Sequence, residues 1–170
     1  EISPMLLVSV RWFGTLILLT LFAGRAIIAD LPAIRSNLGY TFLLGTAGLG
    51  GFGTLLYYSA YTTTAVNIGI IQGAMPAIVL IGSYFFFRTH VSLIQIGGVS
   101  ITILGVVFVS IHGEFERLMT LSFKNGDLLM LIAVLLYGSY SLGLRRKNNL
   151  SSIALFASVV ASAFISTLPL

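Results

Sequence analysis

The sequence predicts an all-α membrane protein, a polytopic helix bundle, from its composition and from the length of its apolar runs. Of its 170 residues, 57% are hydrophobic and 8% are charged, whereas a soluble domain carries about 25% charged residues. The mean hydropathy is +1.03. Several uncharged runs approach the roughly 20 residues that a helix needs to cross a bilayer. Strands of a membrane barrel would instead be about 9–11 residues of alternating polarity.

Six apolar segments predict about six transmembrane helices. They are residues 5–23, about 39–59, about 66–87, 91–111, 128–144 and 150–170. The first is interrupted only by Arg11. The second and third come from one uncharged run, which the polar and β-branched stretch "AYTTTAVNIG" divides. Most of the acidic residues lie at 113–127, a segment that we predict to be an external loop.

The basic residues predict which side of the membrane each loop faces. If successive spans alternate in direction, one side receives six basic loop residues and the other receives two. The six are Arg25, Arg35, Arg88, Arg145, Arg146 and Lys147, and the two are Arg117 and Lys124. Positive residues accumulate in cytoplasmic loops, so Glu1 is predicted to lie outside a bacterial cytoplasmic membrane. Because the chain does not begin with methionine, we expect a fragment whose first helix is missing.

Two residues stand out in the third segment, where the polar Gln72 precedes Pro76 by one helical turn. A proline inside a helix removes a backbone hydrogen bond and leaves the carbonyl four residues earlier without its partner. In lipid that carbonyl must be satisfied by neighbouring helices, polar side chains or water. Either the proline only shapes packing, or a kinked helix lines a wet cavity in which Gln72 contacts the substrate. Both hypotheses stay open at this stage.

Three other residues complete the candidate substrate cavity. Tyr137 and Ser141 lie one turn apart on one helix face, deep in the fifth segment. Arg11 lies about two turns inside the first segment, where a charge is costly and therefore a functional candidate. Its side chain could instead reach the membrane interface beside Trp12, an aromatic anchor.

Small residues predict close packing between helices. Glycines cluster at positions 45, 48, 50, 51 and 53, and Gly69 forms a GxxxG motif with Gly73. In the last segment a small residue recurs every fourth position: Ala154, Ser158, Ser162 and Ser166. Such faces let helix backbones approach each other closely in lipid.

The residue types that most catalytic and metal-binding sites require are missing from the predicted spans. The chain has no cysteine, and its two histidines, His90 and His112, lie at segment ends. No acidic residue lies within a predicted span, and neither paired carboxylates nor metal-ligand spacings occur. The sequence therefore predicts a protein that is not an enzyme and has no metal site, no cofactor and no nucleic-acid partner.

Three stretches resemble the EamA-like transporters of the drug/metabolite transporter superfamily. They are "VRWFGTLILL", "AVNIGIIQGAMPAIVLIGSYFFFRTHVSLIQIGGVSITILGVVFVS" and "GDLLMLIAVLLYGSYSLGLRRK". The resemblance implies an expected ten helices in two inverted five-helix repeats, of which about six are present. It assigns 1–112 to most of the first repeat without its first helix, 113–127 to the external loop, and 128–170 to the start of the second repeat.

The resemblance also implies a function: a secondary transporter that moves a small metabolite, such as an amino acid, across the cytoplasmic membrane by alternating access. Inverted repeats generally place the substrate near the bilayer midplane. The implied partners are a small-molecule substrate, the lipid bilayer and a candidate coupling proton, while the oligomeric state is left open. Two alternatives are a non-transporting membrane scaffold and a small multidrug-resistance exporter. The latter would need an intramembrane glutamate, which the predicted spans lack.

Introduced cysteines test the alternating topology. Single cysteines at Asn37, Thr89 and Asn148 should react with a membrane-impermeant thiol reagent from the cytoplasmic side, and one at Asn125 from outside. Each signal is specific because the chain has no cysteine of its own. Labelling of positions 125 and 148 from the same side would contradict six alternating spans.

Overall fold

The computed structural model describes residues 3–111, 116, 122–145 and 149–168, and this part of the chain contains helices, turns and short connections but no strand. In chain order the helices are α1 (Pro4–Ala29), α2 (Leu31–Ser36), α3 (Leu38–Leu44), a π-helical segment (Gly45–Gly51), α4 (Phe52–Ser59), α5 (Ala65–Gly73), α6 (Met75–Phe87), α7 (Leu93–Ser110), α8 (Asn125–Gly143) and α9 (Ser152–Thr167).

These helices confirm the predicted polytopic helical membrane protein. Within the described residues, four stretches are long and apolar enough to cross a membrane: Met5–Ala29, Ala65–Phe87, Leu93–Ser110 and Asn125–Gly143. The shorter apolar helix α9 follows them. The second predicted segment is helical throughout 38–59, because the π-helical segment joins α3 to α4 without a break.

The fifth predicted segment begins earlier in the structure than the sequence indicated. Helix α8 begins at Asn125, whereas the sequence predicted a span from Leu128, so Asp127 lies in the first turn of the helix. The cause is local: Oδ2 of Asp127 accepts the backbone N–H of Lys124 at 2.8 Å, one of the donors that a helix start leaves unpaired. The prediction that no acidic residue lies within a span is therefore wrong at Asp127.

Small residues bring the helices of the first compact unit together. This unit comprises Glu1–Thr54 and Gly143–Leu170. In it α1 runs antiparallel to α9, as the contacts of Ser9 with Thr167 and of Phe13 with Phe164 show. The 38–59 helix runs parallel to α9, with Gly45 against Ser162 and Gly50 against Ser166. These contacts use the small-residue faces that the sequence predicted.

The second compact unit comprises Leu55–Leu142. Its α5 packs antiparallel to α7, where Gly69 faces Ser110 and Gly73 faces Val106. Its α5 and α6 run parallel to α8 in one register, because residues 60 positions apart meet along both helices. These pairs are Asn67 with Asp127, Ile78 with Gly138, and Gly82 with Leu142.

Helix directions inside each unit agree with alternating spans. When six spans alternate, the first is antiparallel to the sixth and the second is parallel to it, as the first unit shows. The third is then antiparallel to the fourth and parallel to the fifth, as the second unit shows. The packing of each unit thus agrees with the alternation of spans that the assignment of loops to the two sides assumed.

Two alanine substitutions in one helix test the close packing of the 38–59 helix on α9. A Cβ at Gly45 would lie 2.2 Å from the Val159 carbonyl oxygen, whereas a Cβ at Gly39 would meet nothing within 4 Å. Alanine favours a helix over glycine by about 1 kcal/mol, so Gly39→Ala should be neutral or stabilising. Gly45→Ala should lower the free energy of unfolding by about 1–3 kcal/mol, as overpacking does. Fluorescence of Trp12 during unfolding in detergent measures both, and equal midpoints would contradict the packing.

Candidate functional site

A break interrupts the apolar span Ala65–Phe87 at Ala74. The Ala74 N–H bonds to the Ile71 carbonyl, three residues back, at 3.1 Å. Regular spacing resumes where the Ile78 N–H bonds to the Ala74 carbonyl at 3.1 Å. Pro76 lies in the first turn of α6, where the missing N–H costs no hydrogen bond. The sequence predicted a proline inside a kinked helix, and the structure has a proline that begins a new helix.

Gln72 lies in the last turn of α5, immediately before this break. Its side chain is half-buried, and it makes no hydrogen bond to the described residues. Its backbone carbonyl faces position 76 of the chain, where proline has no N–H to donate. Pro76 itself is exposed on the surface of the described chain. The Gln72 amide therefore lies at the same level of the span as a backbone carbonyl that lacks the donor of a regular α-helix.

The register between α5–α6 and α8 shows how the predicted residues are spaced. Each residue of α5–α6 lies level with the residue of α8 whose number is 60 higher. Pro76 is therefore level with residue 136, one position before Tyr137. Gln72 lies five residues from Tyr137 toward the start of the helices, about 7.5 Å at 1.5 Å per residue. Ser141 lies four residues from Tyr137 in the opposite direction, about 6 Å by the same rise. The four residues form a ladder along the paired helices and not one cluster.

Tyr137 and Ser141 are both half-buried in the second half of α8. The Tyr137 ring packs against the ring of Tyr140, with centroids 5.6 Å apart and an interplanar angle of 53°. Tyr140 is buried. The tyrosine pair thus holds an aromatic surface at the level of the break in the neighbouring span.

Arg11 belongs to the first unit, where its guanidinium lies over the ring of Trp12, 4.6 Å from the centroid. A Cβ added to Gly53 would lie 3.0 Å from one guanidinium nitrogen, so the glycine makes room for the arginine. The Trp12 Nε1–H is buried and has no hydrogen-bond partner among the residues that the structure describes. A cation over an aromatic ring gains about 0.5–2 kcal/mol. This arrangement stabilises Arg11 beside its own helix and against α4.

Sequence reasoning missed a polar cluster at the start of α8. The Asp127 side chain is 2% exposed, and three groups donate to its carboxylate. The Thr63 hydroxyl donates to Oδ1, while the Asn67 amide and the Lys124 backbone N–H each donate to Oδ2 at 2.8 Å. The Asn67 amide also donates to the Ser122 carbonyl at 3.2 Å. The cluster ties α5 and the preceding loop to the start of α8.

Gly126 allows this cluster to form. A Cβ at Gly126 would lie 2.6 Å from the Ser59 carbonyl oxygen and 2.7 Å from Oγ1 of Thr62, so the chain before α5 can approach only a glycine here. The position of Asp127 is the one sequence signal for this cluster. Acidic residues are typical of the first turn of a helix. The partners Thr63 and Asn67 carried no such signal, since they lie 64 and 60 residues away.

Among the described residues of the second unit, two cavities are of interest. One is an open groove of about 320 Å³ beside the Asp127 cluster, lined by Asn67, Ile70, Ile71, Ser122, Phe123, Asp127 and Leu131. The other, of about 410 Å³, is lined by Tyr84, Phe85, Arg88 and His90 after the end of α6. Within the described part of the chain, no group of three or more His, Cys, Asp or Glu residues could hold a metal ion. His112 lies outside the described residues.

Comparison with known proteins places these features in a family. The model of the EamA-like transporter family matches residues 1–111, which include the break at Ala74. A curated relative, "Uncharacterized transporter YyaM" of Bacillus subtilis (strain 168), is 27% identical over 113 residues. That alignment covers 66% of this chain but 37% of the relative, so the chain spans little more than a third of its length. No solved structure matches the chain significantly. Because the family model matches more than half of its residues, the chain belongs to the EamA-like transporter family.

Proposed function

We propose that the chain contributes to a secondary transporter, a permease that moves a small metabolite across the cytoplasmic membrane by alternating access. The observation that carries the proposal is the break at Ala74 in the span Ala65–Phe87. Transporter substrate sites typically form at such discontinuous helices, near the bilayer midplane. Irregular backbone at that depth is tolerated where it is buried in protein or lines a water-filled cavity. Membership of a transporter family supports a carrier over an enzyme.

The residues beside the break can bind a substrate that carries both donors and acceptors. The Gln72 amide offers both types of group, and the hydroxyls of Tyr137 and Ser141 do the same. Because these residues form a ladder about 13 Å long, they can contact successive parts of one small metabolite or successive positions along its path. An amino acid or a related compound fits this polarity. Pro76 has no hydrogen to donate, and its proposed part is to keep the span broken.

Arg11 is proposed as a contact for an anionic group of the substrate. Its guanidinium is exposed, and within the described residues no carboxylate pairs with it. Stacking on Trp12 orients the guanidinium without using its N–H donors, so those donors can bind a carboxylate in two places.

A transport assay separates the carrier from the non-transporting scaffold. The complete gene product in sealed vesicles is given a library of labelled amino acids and related metabolites, with and without a pH gradient. A carrier accumulates or releases at least one compound faster than empty vesicles do, and a dependence on the gradient identifies a coupling proton. Protein that inserts fully but moves none of the library is the result expected of a scaffold.

Replacing Gln72 by leucine tests its place in the substrate site. Hydrogen bonds between membrane helices contribute only about 0.6 kcal/mol on average, so Gln72→Leu should change the yield of folded protein little. It should raise the KM about tenfold or abolish transport, because a lost hydrogen bond to a charged substrate costs about 1.5–3 kcal/mol. Tyr137→Phe should act more mildly, since it removes one hydroxyl.

Gln95→Leu is the matched control, because Gln95 caps the exposed start of α7. It should leave the KM unchanged. Unchanged kinetics in Gln72→Leu would remove Gln72 from the site.

Replacing Pro76 by alanine tests the break itself. The alanine N–H can bond to the Gln72 carbonyl and extend α5 into α6, so transport should fall while insertion into the membrane stays normal. Pro32→Ala is the control, because Pro32 has the same place in the first turn of α2 and lies outside the spans. Wild-type transport by Pro76→Ala would show that the proline only shapes packing.

A further inference from the structure

Asp127 carries a buried carboxylate. The proposed transport function assigns it no role. An ionisable residue inside a membrane-spanning helix is costly and is a functional candidate by default. The three groups that donate to it are a hydroxyl, an amide and a backbone N–H. All three are neutral, and the ammonium group of Lys124 also acts electrostatically on the carboxylate. The start of α8 therefore holds a hydrogen-bonded carboxylate in a mostly apolar wall.

Counting the described residues only, this carboxylate has capacity for one more hydrogen-bond donor. A carboxylate has about four lone-pair sites. Oδ2 accepts two donors, from Asn67 and Lys124, whereas Oδ1 accepts one, from Thr63. Oδ1 can thus accept one more N–H donor.

The groove beside Asp127 has the size and lining of a small-molecule site. Its volume of about 320 Å³ lies within the range of roughly 300–1,000 Å³ that such pockets have. Ile70, Ile71 and Leu131 supply an apolar wall. By the 60-residue offset between the two helices, Ile71 is level with Leu131. This level lies one helical turn after that of Asn67 and Asp127. Phe123, 73% exposed, adds an aromatic face, to which a cation is attracted.

We infer that this groove binds a small organic cation. A protonated amine donates to Oδ1 of Asp127, and its apolar part lies along Ile70, Ile71 and Leu131. An anion is disfavoured by the carboxylate of Asp127, and a neutral molecule of the same shape gains only the apolar contacts. The inference concerns binding alone, so it does not depend on the transport proposal.

The test measures binding of 4-fluorophenethylammonium to the purified chain in detergent by fluorine NMR. The matched probes are 2-(4-fluorophenyl)ethanol, which is neutral, and 4-fluorophenylacetate, which is anionic. The ammonium should bind at least about tenfold more tightly than either, because a hydrogen bond to a charged group exceeds a neutral contact by that factor or more. Equal binding of the alcohol, or no saturable binding of the ammonium, would overturn the inference.

Two variants locate the site. Asp127→Asn keeps the shape of the side chain and should reduce ammonium affinity at least about tenfold. Asp30→Asn removes the same charge from a carboxylate that accepts the Ser151 N–H in the other unit, and it should change nothing.

Ile71→Phe fills the groove without altering the carboxylate, so it should abolish binding even if Asp127→Asn fails to fold. Wild-type affinity in Ile71→Phe would place the ammonium elsewhere and refute the groove. None of these measurements involves transport, so the inference and the proposed function can fail separately.

Discussion

The structure depends on one constraint: hydrocarbon offers no hydrogen bonds, so the backbone must satisfy its own polar groups. Helices meet this requirement along most of the described chain, and the two departures from α-helix are closed locally. The π-helical segment Gly45–Gly51 keeps the 38–59 helix continuous. At Ala74 a tighter backbone bond and a proline at the next helix start replace the regular pattern. Because Pro76 has no N–H, the Gln72 carbonyl there lacks the donor that a regular α-helix would supply.

Close approach of backbones is the second physical theme, and it depends on glycine and serine. Gly45 and Gly50 lie directly against α9, and Gly69 and Gly73 lie directly against α7. Between helices in lipid the gain comes from van der Waals contact and not from expelling water. Small residues are therefore needed wherever two helices touch along their length. The same rule explains Gly126, where the chain before α5 passes close enough for Thr63 to reach Asp127.

Polar groups gather at two levels of the second unit. The break at Ala74 carries the Gln72 amide, while the start of α8 carries a satisfied carboxylate beside an apolar groove. The two levels differ physically. At the break, the Gln72 amide makes no hydrogen bond to the described residues and suits a substrate that brings its own donors and acceptors. At Asp127, the groups are paired to each other, and the carboxylate beside the groove is the contact that we infer for a cation.

The sequence by itself determined the membrane class, the six apolar segments, and the polar residues within them, because composition and run length are properties of the chain alone. It also located the small residues through which helices touch. Only the tertiary structure decided that Pro76 begins a helix, that Gln72, Tyr137 and Ser141 form a ladder, and that Asp127 is buried within a span. These outcomes depend on which residues 60 or more positions apart meet. Sequence spacing cannot report that, because the register between two helices is set by packing and by hydrogen bonds formed only after the chain has folded.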